Sequence, residues 1–274
     1  MGGTPLRDCL LKRILFVRVS SIMTPTTYLY GKNPLREAIL SMKRKGASPI
    51  AQLFLTKSAL SDPEMMSLIQ ANSLTHKVVT AQEVESIVGP SVVHQGVVAL
   101  LNDDILYSSL DEVLTDVSKK ERPILVLLDE LQDPHNVGAI IRSCSAFGVD
   151  AVLIPEHNQT QITGTVIKAS SGTVFVVPIV KIGNVNTALL KLKEKGYWVY
   201  ALTGDGDTLL TDVQFDSPSI IIIGSEGTGI HKKTLEHSDF SLSIPISPVC
   251  ESLNASNAVA VTLYEWSKQN PSAF

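Results

Sequence analysis

Residues 124–128, ILVLL, form an unbroken apolar run, and with the loop and the helical pattern after it this run restricts the fold more than any other stretch of the chain. A strand with one wet face alternates, whereas one without alternation is covered on both faces, as in a parallel sheet. A polar loop, residues 129–136, comes next. From Val137 the apolar residues return as Val137, Ile140, Ile141, Cys144 and Phe147. That spacing predicts a helix with one buried face, closed by Gly148. Strand, polar loop and helix make the unit of an open α/β fold, whose ligands bind outside the C-terminal ends of the strands. Asn136 stands at the expected N-cap. Gly138 and Arg142 are four apart, and helical side chains lean toward the N-terminus, so Arg142 is expected to reach back over Gly138 toward the loop. Spacing alone leaves open the plainer reading of a capping Asn and a surface Arg.

The same alternation recurs downstream. Strands are expected at 151–154, 175–178, 198–202, 219–223 and 242–246, with helices at 185–194 and 254–266. This predicts a mainly parallel sheet with helices on both faces. Upstream, helices at 34–42 and 63–72 and strands at 52–56 and 97–101 predict a small α/β unit. Four segments are therefore expected: an extension, 1–26, without stable structure; a small unit, 27–101; a linker, 102–121, with one short helix at 110–115; and an α/β domain, 122–274. The basic extension reads either as a weak targeting segment or as translated sequence upstream of a start at Met23.

Charge is unevenly placed. Residues 1–50 hold nine Lys/Arg against two Asp/Glu, and residues 121–274 hold ten against sixteen. The basic cluster Lys32, Arg36, Lys43, Arg44 and Lys45 is either a solvated face or a phosphate-contacting patch. No apolar run approaches the length of a membrane span. Cys9, Cys144 and Cys250 are far apart, with neither a disulfide framework nor a zinc spacing, so a reducing cytoplasm is the expected home and no metal is expected.

Two further loops carry chemistry. Residues 219–230, SIIIIGSEGTGI, run from a buried strand into a loop with Gly224, Gly227 and Gly229, in which Glu226 is the only charged side chain. The glycine order is wrong for a dinucleotide fingerprint, and no phosphate-binding G-x-x-x-x-G-K-[ST] occurs. Residues 243–266 place Ser252 and Asn254 at a helix start, followed by the small residues Ala255, Ala258 and Ala260. No G-x-S-x-G elbow accompanies them.

The wording and order of DPHNVGAIIRS, GSEGTGI and IPISPVCESLNASNA resemble the SpoU/TrmH family of RNA 2′-O-ribose methyltransferases, of the SPOUT class. YGKNPLREAI and HQGVVAL resemble the accessory RNA-binding domain of its bacterial ribosomal-RNA guanosine members. The resemblance implies an α/β-knot fold with a trefoil knot, S-adenosyl-L-methionine as methyl donor, RNA as partner and a homodimer. It implies cofactor binding by Gly224, Ile244 and Leu253, and a catalytic group of Asn136, Arg142, Glu226, Ser252 and Asn254. One departure is LNASNA, where many members have a valine-rich turn. Ribosomal RNA is the expected substrate; transfer RNA, or a non-catalytic role in RNA binding or ribosome assembly, are the alternatives. Since Arg stays protonated, Arg142 reads as a clamp on phosphate or developing alkoxide, and Glu226 as proton acceptor or as the group orienting Arg142. Val259, Leu263 and Trp266 hint at apolar bulk beyond the needs of one sheet face, as a dimer would use.

Overall fold

The computed structural model describes residues 27–271. The expected extension lies outside the described residues, as do the side chains of Lys43, Arg44 and Lys45. The unbroken apolar runs do become central parallel strands: β6 (Ile124–Asp129), β7 (Ala151–Pro155) and β11 (Ser219–Gly224) are buried at every position. With β5 (Tyr107–Ser108), β8 (Ile179–Ile182), β9 (Trp198–Leu202), β10 (Thr208–Leu209) and β12 (Phe240–Ser243) they form one eight-stranded sheet. Its order is β10-β12-β9-β11-β6-β7-β8-β5, and every pairing is parallel.

Side chains on a strand alternate between faces, so each central strand feeds two cores. Val126, Leu128, Ile221 and Ile223 pack with Val137, Ile140, Ile141 and Cys144 of α7 (Pro134–Ala146) and with Val259, Leu263 and Trp266 of α11 (Ala255–Gln269). Leu125, Leu127, Ile220 and Ile222 pack with Ala188, Leu189 and Leu192 of α9 (Val185–Glu194) on the other face. The apolar bulk expected to serve a partner is thus the chain's own core: Val259 and Leu263 are fully buried and Trp266 nearly so.

Several expected boundaries move. Helix α7 starts at Pro134 and is capped by Asp133, whose side chain accepts from the His135 N–H; Asn136 lies inside its first turn. Pro at the first helical position has no N–H to satisfy, so Asp-Pro opens the helix three residues earlier than Asn136 would. Gly148 closes it as expected, at φ +68, with the Val149 N–H on Cys144 O. The run 175–178 is not a strand: a 3-10 turn occupies Thr173–Phe175, and pairing with β7 begins at Ile179. Val174, Phe175 and Val177 are buried without ladder pairing, a case in which an apolar run signals burial and not conformation. The strand expected at 242–246 is β12, Phe240–Ser243, which pairs with β9 as far as Leu242–Leu202 and with β10 as far as Ser243–Leu209. Residues 102–121 hold three elements, namely α5 (Asp103–Leu106), β5 at the edge of the large sheet and α6 (Leu110–Asp116).

The N-terminal unit is a four-stranded mixed sheet in the order β1-β4-β2-β3, made of β1 (Tyr28–Tyr30), β2 (Ile50–Thr56), β3 (His76–Val79) and β4 (Val97–Leu101). Helices α1 (Lys32–Lys45), α2 (Lys57–Leu60), α3 (Pro63–Ala71) and α4 (Ala81–Val88) accompany it. It seats on α8 (Gly164–Ala169) and the turn after it, where the Tyr30 hydroxyl lies 3.3 Å from Thr165 Oγ1. A Cβ on Gly164 would stand 2.5 Å from Tyr28 O. Leu29, Leu35 and Ile39 belong to the same hydrophobic cluster as Val166, Ile167 and Val174. Among the described residues no helix is long and apolar enough to cross a membrane.

Candidate active site

Strands β6, β9, β11 and β12 are neighbours and parallel, so the loops after them emerge at one end of the sheet. The tips of β6 and β11 pair as Asp129–Gly224. After Gly224 the chain doubles back: Ser225 and Gly229 exchange both backbone hydrogen bonds, at 3.1 and 2.9 Å, and Ser225 Oγ lies 2.7 Å from Thr228 Oγ1. A Cβ at Gly224 would stand 2.2 Å from the carbonyl carbon of Gly229. Only glycine lets the turn fold onto its own strand here. The loop is tied down at its far end by the buried Asp129 carboxylate, which accepts from the His231 N–H at 2.8 Å. Burial pushes the Asp129 pKa up, with the His231 hydrogen bond opposing it.

Glu226, at the tip of that turn, meets two asparagines from elsewhere in the chain. Asn254 caps α11, its Oδ1 accepting from Ser256 N at 2.9 Å and from Ser256 Oγ at 2.6 Å. That fixes the other end of the amide: Nδ2 donates to Glu226 Oε1 at 2.6 Å and to Asn136 Oδ1 at 2.9 Å. Asn136, buried in the first turn of α7, donates from Nδ2 to the same Glu226 Oε1 at 2.8 Å. The three side chains close a triangle in which each touches the other two.

Beside the triangle lies a cavity of about 540 Å³. Gly224, Glu226, Ile244, Ser252, Leu253 and Asn254 all line it, so the structure brings all but two of the expected site residues to one place. Asn136 joins through the triangle. Arg142 does not line the cavity; it is exposed, and its Nη1 donates to Ser171 Oγ at 3.4 Å. Nor is Gly138 an opening for it, since a Cβ there would stand 2.5 Å from Ala169 Cβ and 2.9 Å from Ser170 N. The bare glycine admits α8, not the arginine.

A family model described as the SpoU rRNA methylase family matches residues 123–264. The chain belongs to the SpoU methylase family. A second model, described as RNA 2′-O ribose methyltransferase substrate binding, matches residues 28–104. Curated relatives include an uncharacterised tRNA/rRNA methyltransferase of Mycoplasma pneumoniae, 32% identical over 89% of this chain and 98% of its own. Another is the TrmH-family protein YacO of Bacillus subtilis, 30% identical over 89% and 96%. Among solved structures, the SpoU methyltransferase AviRb of Streptomyces viridochromogenes, in complex with the cofactor AdoMet, superposes with TM-score 0.77 at 22% identity, covering 90% of this chain and 91% of that one. An rRNA methyltransferase of Sinorhizobium meliloti superposes with TM-score 0.72 at 21% identity, covering 89% and 88%. These neighbours bear out the SPOUT α/β-knot fold expected of a SpoU chain.

Residues outside the expected site complete the wall. Thr203, Gly204 and Asp205, after β9, line the cavity. Gly206 lies against the β12 backbone, where a Cβ would stand 2.5 Å from the Leu242 carbonyl carbon. Their signal was G-D-G at the end of a buried strand, the same pattern of close approach as Gly224. Asp129 was visible only as the first charge after an apolar run.

Proposed function

We propose that this SpoU methyltransferase uses S-adenosylmethionine to methylate a ribose 2′-hydroxyl of structured RNA, with large-subunit ribosomal RNA as the substrate. The observation that carries the reading is the Asn136–Glu226–Asn254 triangle at the rim of a cavity built from the loop ends of one parallel sheet. The substrate-binding model over residues 28–104 supports RNA as the acceptor.

The residues present fit the cofactor. A cavity of about 540 Å³ is of ligand-binding size. Leu202, Ile223, Leu242 and Ala258 give it apolar walls, and Gly204, Gly224 and Gly229 line it with backbone that carries no side chain. Gly224, Ile244 and Leu253 would hold the cofactor, largely through backbone atoms. When bound, it supplies a methyl group activated on a sulfonium.

The chain's own residues then place the hydroxyl and handle its proton. The hydrogen bonds from Asn136 and Asn254 to the Glu226 carboxylate converge on Oε1, so the asparagines fix its direction. Glu226 accepts the hydroxyl proton, and Ser252 orients the ribose from the same rim. Positioning of this kind supplies much of the acceleration in a transfer between two held groups. Arg142 clamps phosphate or stabilises the developing alkoxide. Because it does not line its own cavity, we assign it to the cavity of a second copy in a two-fold dimer.

The test uses purified protein with methyl-labelled cofactor and, separately, ribosomal and transfer RNA. Label recovered in 2′-O-methylnucleosides of ribosomal RNA is the expected result. Label in bases overturns the ribose assignment, and label only in transfer RNA overturns the substrate. Cofactor uptake in calorimetry without turnover on either RNA leaves the non-catalytic alternative. For the shared site, a mixed dimer of an Arg142→Ala chain with a chain disabled at Leu253 regains activity, having one intact site. Verified mixed dimers without activity refute sharing.

A further inference from the structure

The turn that holds Arg142 carries more constraint than a surface arginine requires. Ser171 and Gly172 are consecutive residues with positive φ, +54 and +88. A serine in that region is uncommon and persists where its surroundings over-determine it. Three backbone hydrogen bonds do so: Ser171 N to Lys168 O and Gly172 N to Ile167 O at 3.0 Å, and Thr173 N to Ser170 O at 3.1 Å. Ser171 Oγ accepts from Arg142 Nη1 at 3.4 Å. Behind it, Gly172 is buried against the N-terminal unit. A Cβ there would stand 2.8 Å from Glu37 Cβ and 3.1 Å from Pro34 Cα, both on α1. One turn along α7, Gly138 packs on the end of α8, so the helix that carries Arg142 is in direct contact with the helix that leads into the turn.

We propose that the Ser171–Gly172 turn is a positioning device for Arg142, set from behind by Pro34 and Glu37 of the N-terminal unit. The unit matched by the substrate-binding model then does more than hold RNA, because its seating fixes the direction of a guanidinium that acts on that RNA. The inference rests on the proposed role of Arg142 in the transfer, and the experiment separates the two.

Full-length enzyme is assayed on the RNA that accepts methyl label. Ser171→Gly keeps the left-handed backbone and removes the hydroxyl; Ser171→Asn tolerates the same backbone and restores an acceptor oxygen. Gly172→Ala drives a methyl group at Glu37 and Pro34 and strains a backbone held at φ +88. Ser171→Gly and Gly172→Ala are expected to lower kcat about tenfold while cofactor Kd and RNA KM stay within about twofold. Ser171→Asn recovers most of the loss. A wild-type kcat in Ser171→Gly, or a loss that Ser171→Asn does not rescue, overturns the proposal. Arg142→Ala run in parallel assigns the failure: full turnover there removes the role of Arg142 itself, whereas an inactive Arg142→Ala beside an unimpaired Ser171→Gly removes only the positioning. If Gly172→Ala loses cofactor binding and hence its fold, the Ser171 pair decides alone.

Discussion

Glu226 is exposed, yet both its asparagine donors meet one oxygen, and one of those donors is itself locked as a helix cap. Glu226→Gln keeps the size and removes the proposed proton acceptor. A loss of roughly 10²–10⁴ in kcat is expected, with cofactor affinity retained in calorimetry; an unchanged single-turnover rate would clear Glu226 of proton transfer. Asp129 makes a different prediction. Its pKa is raised in the folded protein by burial, so between the ordinary aspartate range and the raised value the folded state holds the proton more tightly than the unfolded one. Stability therefore falls as pH rises through that window and stays lower above it. Asp129→Asn cannot ionise and still offers an oxygen to the His231 N–H, so in urea unfolding the wild type should lose stability relative to the variant as pH rises through the window. Glu226 and Asn254 were legible because a lone charge among glycines and an Asn before an apolar helix are local signals. The direction of Arg142 was not, since what fills the space over Gly138 is α8, a short helix with no strong pattern of its own.

At the scale of elements, we place the interface of the proposed dimer on the outward face of α11. Val261 and Tyr264, three apart and hence neighbours on the helix, are 41% and 57% exposed, and Phe147 at the end of α7 sets its ring edge-on to Tyr264 at 6.4 Å. The double substitution Val261→Glu, Tyr264→Glu places two carboxylates there and should give monomers by light scattering, with transfer lost and cofactor binding kept. A persistent dimer would move the proposed interface elsewhere. Elements with one buried face or two were readable from sequence: Val97–Leu101, Val185–Glu194 and Trp198–Leu202 fall where the pattern placed them. Strand β3 was not, because HKVV in His76–Val79 has no buried position. The boundary errors at α7 and β8 both involve proline. Pro134 starts a helix early, and Pro178, which lacks an N–H, precedes a strand while still giving its carbonyl to Val152 N at 2.9 Å.

For the whole molecule, the sequence pattern divides the chain at residues 102–121, while the packing runs across the division. One hydrophobic cluster takes in Leu29, Leu35 and Ile39 of the N-terminal unit, Leu106 between the units, and Val137, Val166 and Val174 beside the large sheet. Cores joined in this way share the cost of exposure, so neither unit can open without uncovering apolar surface of the other. The expected consequence is one cooperative thermal transition, with calorimetric and van't Hoff enthalpies in agreement. Gly164→Ala probes the joint directly, because its Cβ would stand 2.5 Å from Tyr28 O and 2.6 Å from the Tyr30 ring. Overpacking against backbone costs roughly 1–3 kcal/mol, and for a chain of this size each kcal/mol lowers Tm by about 2–4 °C. If the cores act as one, the entire transition shifts down by several degrees and remains single. Two resolved transitions in the wild type, or a substitution that moves only part of the heat absorption, would mean that the N-terminal unit melts on its own, and Ser171 would then lose its support before the catalytic sheet unfolds.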